Sequence, residues 1–115
     1  MANDCIFCRI VAGELPATIV YQDDEVTAFN DINPQASTHV LVIPNQHITS
    51  LNQAEETDPV LLGRLLQVAA KVARDAGLAE SGYRVVTNTG PDSGQTVFHL
   101  HFHVLGGNRL RLPLG

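Results

Sequence analysis

Hydrophobic residues recur at helical spacing in one long segment of the chain, between Asp58 and Gly77. Asp58 followed by Pro59 is a strong start signal, because Asp caps the free N–H groups of a first turn and Pro fits within it. Gly77 is a matching stop. The apolar positions of this helix form one stripe that a sheet or a partner must cover, namely Leu62, Leu65, Leu66, Ala69, Val72, Ala73 and Ala76.

A second, shorter helix is predicted near the start of the chain, over about residues 5–12. Asn3 or Asp4 is the expected cap, and Gly13 is the expected end of the helix. Pro16 then prevents the helix from resuming.

Short β-branched and aromatic runs predict about five strands. Asp23-Asp24 separates the first two and indicates a hairpin, and Pro44 ends the third. The element order α-β-β-β-α-β-β predicts an α+β fold with a five-stranded, mainly antiparallel sheet and two helices. The five segments are residues 18–22, 25–30, 39–43, 83–87 and 97–105.

Size and composition indicate a single globular domain over residues 1–115. The apolar share of 44%, the charged share of 17% and a mean hydropathy near zero are ordinary for such a domain. The net charge is −5 and no Lys/Arg stripe is present, so a nucleic-acid partner is not expected. No apolar run approaches the roughly 20 residues of a membrane span, and no secretory signal is evident. We therefore expect a cytoplasmic protein with no membrane association.

The last predicted strand carries a strict alternation of histidine and apolar residues. With a period of two, His99, His101 and His103 project from one face. The other face is a core face, made by Phe98, Leu100, Phe102 and Val104. Because three of the five histidines of the chain fall in this pattern, chemistry is favoured over a merely solvated strand.

Two kinds of chemistry fit a row of imidazoles. The histidines are suited to bind a catalytic metal ion with water at an open position. Alternatively, a neutral imidazole is a nucleophile for phosphorus and leaves readily once phosphorylated. The preceding loop, residues 88–96, is rich in Gly and in neutral hydrogen-bond donors, which suits the cradling of phosphate oxygens and supplies no carboxylate-rich ligand set.

The long motif from Gly94 to Gly107 resembles the signature of the histidine-triad (HIT) superfamily, in the form typical of its Hint-like branch. The resemblance extends over nearly the whole chain. It includes Ile6-Phe7, Glu14-Leu15-Pro16-Ala17, Ala28-Phe29, Asp31-Ile32, Pro34-Gln35-Ala36, Thr38-His39, Leu41-Val42-Ile43-Pro44 and His47-Ile48. The implied fold is HIT-like, and the implied activity is hydrolysis of the P–N bond of purine nucleoside 5′-phosphoramidates through a nucleotidyl-histidine intermediate.

The resemblance also implies roles for individual residues. His101 attacks the α-phosphorus, His103 contacts the phosphate and assists the leaving group, and His39 joins the cluster from the third strand. Asp31 accepts hydrogen bonds from the ribose hydroxyls. The phosphate is held by Asn88, Gly94, Gln95 and Thr96, and the base pocket is lined by Ile6, Phe7, Ile10, Phe29 and Ile32.

Two positions depart from the family pattern. Thr96 stands where Ser is often found, and Leu112 stands where a C-terminal Trp is common. Both changes leave the leaving-group preference open. Cleavage of dinucleoside polyphosphates is the alternative within the family. Outside it, a zinc metallohydrolase and a nucleotide-binding regulatory protein are the alternatives.

Cys5 and Cys8 form a C-x-x-C pair, which by itself fits a metal site, a redox pair or two free thiols. Bacterial relatives often have this pair, and the resemblance implies that His47 and His99 complete a Cys₂His₂ set. A closed set of four ligands is typical of structural zinc. We therefore expect a structural zinc ion and no cofactor for catalysis.

A homodimer is the last expectation. Val60, Leu61 and Val68 fall off the predicted stripe of the long helix and would leave apolar surface uncovered in a monomer. The resemblance implies that the same helix of a second copy covers this surface and that the tail from Asn108 approaches the partner's active site.

Overall fold

The structure, a computed structural model, describes residues 4–111. The expected cap Asn3 and the end of the tail, with Leu112, lie outside the described residues. Two short 3-10 helices, Leu51–Glu56 and Pro91–Ser93, had no predicted counterpart. The other elements are α1 (Ile6–Val11), β1 (Ile19–Gln22), β2 (Val26–Asn30), β3 (Thr38–Pro44), α2 (Pro59–Asp75), β4 (Tyr83–Val86) and β5 (Phe102–Gly106).

The five strands form one sheet in the order β1-β2-β3-β5-β4, and every neighbouring pair within residues 4–111 is antiparallel. This confirms the predicted α+β class. Helix α2 covers one face of the sheet, where Val40, Val42 and Val104 are buried. Helix α1 packs on the opposite face, against Leu41 and Ile43. Within the described part of the chain, no helix is long and apolar enough to cross a bilayer.

Helix α2 begins and ends as predicted. The Asp58 carboxylate accepts a hydrogen bond from Val60 N at 2.9 Å, and Gly77 follows the helix with a φ of 80°. The buried face of α2 is turned about the helix axis relative to the predicted stripe. The reason is that the sheet covers a broad face of the helix and not a narrow line of residues. The predicted exposure of Leu61 and Val68 is therefore wrong, since they are 6% and 1% exposed in the core of their own chain.

Helix α1 is capped by a cysteine rather than by Asp4. Cys5 takes the N-cap position, and its Sγ accepts a hydrogen bond from Cys8 N at 3.4 Å. Phe7 is buried and contacts Phe29 edge to face, with ring centroids 5.3 Å apart. The short helix is thereby fixed to the sheet, and it carries both cysteines over the last strand.

Strand β5 is shorter than the alternation of residues 97–105 predicted. Its ladder begins only at Phe102, and Phe98 is 55% exposed instead of lying in the core. His101 Nδ1 donates a hydrogen bond to the carbonyl of His99, so this carbonyl is bound by a side chain instead of by a neighbouring strand. Residues 98–101 are instead tethered to the chain after β3, where Leu100 N donates to Ile48 O at 2.6 Å.

Candidate functional site

The three histidines of the motif lie together but have different environments. His99 is fully buried, His101 is 7% exposed and His103 is partly exposed. The rings of His101 and His103 lie 5.0 Å apart, whereas His99 lies beside the cysteines. The alternation predicted that the three side chains share one face. Only His101 and His103 lie together in this way, because His99 belongs with the cysteines.

His101 is held in one orientation and one tautomer. Its Nδ1 lies 2.6 Å from the carbonyl oxygen of His99, and a carbonyl only accepts, so Nδ1 carries the proton. Burial lowers the pKa of His101, although the hydrogen bond to the His99 carbonyl and the charge of Asp31 oppose that shift. A neutral ring protonated at Nδ1 has its lone pair on Nε2. Phe7 packs edge to face against the ring, with ring centroids 5.1 Å apart, and so opposes its rotation.

His39 reaches the cluster from β3, as predicted. Its Nδ1 accepts a hydrogen bond from the backbone N–H of Gln35 at 3.0 Å, and its Nε2 lies 2.9 Å from His103 Nδ1. Burial lowers the pKa of His39, although the charge of Asp31 opposes the shift. Burial, with repulsion from His101 and His39, lowers the pKa of His103 to about 4 against the opposing charge of Asp31. Both rings are therefore neutral at pH 7.

Within residues 4–111, two clusters of side chains have a metal-ligating composition. One comprises Cys5, Cys8, His47 and His99, and the donor atoms of each cluster lie within 4.8 Å of one another. The other comprises Asp31, His39 and His103.

The hydrogen bonds of the Cys5–Cys8–His47–His99 cluster, called the thiol cluster below, fit a soft divalent metal. His99 Nδ1 lies 3.3 and 3.5 Å from the two sulfur atoms, while its Nε2 lies 2.8 Å from the carbonyl of Pro44. That carbonyl needs a donor, so Nδ1 presents its lone pair to the sulfurs, as a metal-ligating histidine does. His47 Nδ1 lies 3.3 Å from Cys8 Sγ, and two thiols with two imidazoles form a zinc-type set.

The second cluster does not fit a metal in this way. The N–H of Gln35 uses the lone pair of His39 Nδ1, so the neutral ring carries its proton on Nε2, which has no lone pair left for a metal. In addition, His101 Nδ1 is used by the His99 carbonyl, and His99 faces the thiols. A metal site made by the three motif histidines, as a zinc metallohydrolase requires, therefore has no support in this geometry.

The loop before the histidines is ordered by its own side chains. Gln95 is buried, its Oε1 accepts from Gly90 N, and its Nε2 donates to the carbonyls of Thr49 and Val97. Asn88 donates to the carbonyl of Ser93 at 2.9 Å. Gln95 and Asn88 thus shape the loop. Gly94 takes the left-handed turn that leads into exposed Thr96, with a φ of 84°.

The residues predicted to bind the nucleoside differ in burial. Phe7 and Phe29 are buried in the small core under α1, and Ile10 is half-buried against it. Ile6 and Ile32 are exposed at 46% and 90%. Asp31 is half-buried, and its Oδ1 accepts from Asn33 N at 2.8 Å while Oδ2 lies 3.5 Å from His39 Nε2.

Three hydrogen-bond partners of the site histidines were not predicted from the sequence, because each of these bonds involves a backbone group. They are the amide of Gln35, the carbonyl of Pro44 and the Thr87 hydroxyl, which donates to the carbonyl of His101 at 2.8 Å. Only Thr87 had a readable signal, since it directly follows the strand that pairs with β5. A backbone group has no signature in a list of side chains.

Comparison with known proteins agrees with this fold. Purine nucleoside phosphoramidase of Escherichia coli (strain K12) is 51% identical over 115 residues, which is 100% of this chain and 93% of that protein. The HIT family hydrolase from Clostridium thermocellum superposes with a TM-score of 0.94 at 46% identity and 99% coverage of both chains. A histidine triad protein from Clostridium difficile superposes with a TM-score of 0.92 at 44% identity and 96% coverage of both. With the HIT domain profile matching residues 12–110, the chain belongs to the HIT domain family.

Proposed function

We propose that the chain hydrolyses the P–N bond of purine nucleoside 5′-phosphoramidates, with His101 as the nucleophile. The observation that carries this proposal is the 2.6 Å contact between His101 Nδ1 and the carbonyl of His99, because it leaves an unprotonated Nε2 on a buried, neutral ring. The name of the Escherichia coli relative, 51% identical, supports the class of substrate.

The proposed reaction has two displacements at phosphorus. In the first, the lone pair of His101 Nε2 forms a bond to the phosphorus, and the P–N bond breaks with its electron pair going to the leaving nitrogen. The leaving nitrogen takes a proton from solvent as this bond breaks, so it departs as the neutral amine. In the second, water displaces His101, which yields a nucleoside 5′-phosphate, releases the proton of the water and regenerates the neutral ring.

His103 and His39 act on the phosphate side of this reaction. Because His39 donates to His103 Nδ1, the neutral His103 ring carries its proton on Nε2, the nitrogen available to donate to a phosphate oxygen or to the leaving group. Such a donor stabilises the charge that develops at phosphorus in the transition state. His103 and His101 are neighbours, with ring centroids 5.0 Å apart, which fits a shared phosphate.

Nucleotide binding is assigned to the surrounding residues. We propose that the amide of Thr96 and the turn at Gly94 face the phosphate, while Gln95 and Asn88 hold that loop in place. Asp31 has one oxygen engaged with Asn33 N, and we assign its carboxylate to the ribose hydroxyls. The base rests on an apolar wall whose proposed members are Ile6, Phe7, Ile10, Phe29 and Ile32.

A structural zinc ion is proposed at Cys5, Cys8, His47 and His99. The lone pair of His99 Nδ1 faces both sulfur atoms, and the carbonyl of Pro44 holds the ring by accepting from its Nε2. When bound, the metal supplies a cross-link between α1 and the rest of the fold. Two free thiols poised as ligands suit a reducing compartment, which supports the expectation of a cytoplasmic protein.

We also propose a homodimer, on a surface that differs from the one the sequence suggested. Leu66 is 56% exposed on α2, and Tyr83 and Val85 are 39% and 40% exposed on β4, the last strand in the sheet order. These three residues are called the edge patch below. An apolar margin beside an outermost strand favours pairing with another copy of the same edge.

The experiment for the proposed activity is a trapping measurement. Protein incubated with adenosine 5′-phosphoramidate and quenched rapidly should carry one AMP group on His101, found by mass spectrometry of its peptides. The His101→Asn variant should lose at least about 10³-fold in kcat while still binding AMP in calorimetry, since the loop and Asp31 remain. Label on another residue, or turnover by His101→Asn near the parent rate, would reject His101 as nucleophile.

A further inference from the structure

His99 is the residue that joins the thiol cluster to the proposed nucleophile. Its Nδ1 faces the sulfur atoms of Cys5 and Cys8, its Nε2 donates to the Pro44 carbonyl, and its own carbonyl accepts from His101 Nδ1. One fully buried residue therefore contacts the metal-ligating cluster through its ring and the nucleophile through its backbone.

The peptide unit that carries this carbonyl is fixed at both ends. Its C=O belongs to His99 and contacts His101 Nδ1 at 2.6 Å, and its N–H belongs to Leu100 and donates to Ile48 O at 2.6 Å. A rotation of the His99 side chain would pull on this peptide plane and change the direction in which the carbonyl points. The orientation and the tautomer of His101 depend on that direction.

Packing by α1 adds a second link between the two places. Phe7 lies between the cysteines in the chain and contacts the His99 ring at 5.9 Å and the His101 ring at 5.1 Å, both edge to face. Ligation of the cysteines would fix this short helix and with it the aromatic edge that holds both rings. A six-residue helix has little stability of its own, so it depends on such anchors.

We propose that the Cys5–Cys8–His47–His99 cluster, when it binds a metal, positions the nucleophile: His99 is a positioning residue that transmits ligation to the orientation of His101. The inference rests on the proposed function for its kinetic consequence only. Without the metal, the His99 lone pair faces only thiols, which are weak hydrogen-bond donors, and the ring loses its strongest restraint. Loss of an orienting partner around a metal site typically costs about tenfold to a hundredfold.

The test is NMR of the His101 ring in the metal-loaded full chain and after removal of zinc with a strong chelator. In the loaded protein, long-range ¹H–¹⁵N spectra should show a single Nδ1–H tautomer and a downfield, slowly exchanging Nδ1 proton. Chelation should broaden or shift that proton and mix the tautomers, and added zinc should restore it. With the phosphoramidate substrate, kcat should fall about tenfold or more with KM little changed.

A stability-matched control separates positioning from simple loosening of the fold. Val72→Ala thins the core between α2 and the sheet, on the face opposite the cluster. At a temperature where it is as destabilised as the chelated protein, it should keep the His101 Nδ1 signal and the parent kcat. The Cys5→Ser, Cys8→Ser double variant should reproduce the chelated spectrum, and chelation of the parent gives the same readout where that variant does not fold.

The possible outcomes of these measurements test the positioning role separately from the proposed activity. An unchanged His101 resonance in metal-free protein, or the same change in Val72→Ala, would overturn the positioning role. Because the NMR readout needs no turnover, a protein that shows the metal-dependent tautomer but does not cleave phosphoramidates would contradict the proposed activity and leave the positioning role standing.

Discussion

The Nε2 atom of His39 lies 2.9 Å from Nδ1 of His103, across the adjacent strands β3 and β5. The two residues are diagonal neighbours on one face of the sheet, since His103 pairs directly with Leu41. The amide of Gln35 donates to the other nitrogen of His39, so the two neutral rings have only one consistent pattern of protons. That pattern puts the proton of His103 on Nε2.

Replacing His39 by Phe should therefore impair the proposed hydrolysis without removing a group that touches phosphorus. His103 Nδ1 would lose its donor and the ring could take the opposite tautomer, so we expect kcat to fall on the order of 10²-fold. Steady-state kinetics gives the rate, and ¹⁵N chemical shifts of His103 give the tautomer. His39→Gln is the matched control because its amide N–H can still donate. Equal rates for the two variants would remove the tautomer argument.

The low pKa of His103 makes stability depend on pH. Burial, with the neighbouring His101 and His39 rings, lowers this pKa to about 4 while Asp31 opposes the shift, and an unfolded histidine titrates near pH 6.5. As pH falls through the window from 6.5 to about 4, the unfolded chain binds a proton that the folded His103 does not. The free energy of unfolding therefore falls by up to about 1.4 kcal/mol per pH unit because of this group.

Urea unfolding at several values between pH 7.5 and 4.5 should show this loss as the difference between the parent protein and His103→Asn. The variant should lose stability less steeply as the pH falls, because the other titrating groups, including the thiol cluster, are common to both proteins. Parallel curves over the window would mean that His103 titrates alike in the folded and unfolded chains.

The elements that sequence predicts well are those with local signals. Asp58, Pro59 and Gly77 mark the ends of α2 through caps and turn geometry, which need no knowledge of the rest of the fold. The Asp23-Asp24 turn likewise fixes the β1–β2 hairpin. The antiparallel sheet follows from the order of these elements.

The features that sequence does not predict depend on tertiary contacts. Periodicity placed His99 and His101 on a regular strand, but the ladder begins only at Phe102, and the His101 ring donates to the carbonyl two residues earlier. A helical stripe likewise cannot show how wide a face the sheet covers, which is why Leu61 was expected to be exposed. The Cys₂His₂ cluster was found because the family resemblance joined residues that are far apart in the chain.

Asp23 should stabilise the hairpin and its contact with α2. Its carboxylate accepts hydrogen bonds from Tyr21 OH, from the backbone of Glu25 and Val26, and from Arg64 on α2. Burial by itself raises the pKa of Asp23, but these hydrogen bonds outweigh it and lower the pKa to about 2. The stabilisation is therefore present above about pH 4 and is lost as pH falls through 2.

The Asp23→Asn variant should lose about 1–2 kcal/mol of unfolding free energy at pH 7, and the loss should shrink toward pH 2. Asp24→Asn is the matched control, since Asp24 is exposed in the same turn. Thermal or urea unfolding at pH 7 and at pH 3 measures both. Equal effects of the two variants at pH 7 would show that the Arg64 contact contributes nothing measurable.

The final prediction concerns the homodimer and the position of its interface. Arg64 on α2 contacts Tyr21 and Asp23 of the β1 hairpin. Leu66 is two residues further along the helix, about 200° around its axis, so it lies on the flank toward the β4 end of the sheet. Val85 pairs with buried Val104 and is on the same side of the sheet as α2. We therefore expect the edge patch to form one margin on the α2 side of the sheet.

Antiparallel pairing of β4 with β4 of a second copy would bring each edge patch against itself, as a two-fold interface requires. Light scattering at micromolar concentration should give about twice the chain mass of 12.4 kDa. Leu66→Glu and Val85→Glu should both yield a folded monomer, because neither residue is buried in its own chain.

Val68→Glu is unsuitable as a test of the interface, since a charge at a position 1% exposed would unfold the protein. Val60→Glu is the matched control, because Val60 is 68% exposed on the same helix outside the patch and the variant should remain dimeric. A monomeric parent protein, or a dimer that both patch variants leave intact, would place any interface elsewhere.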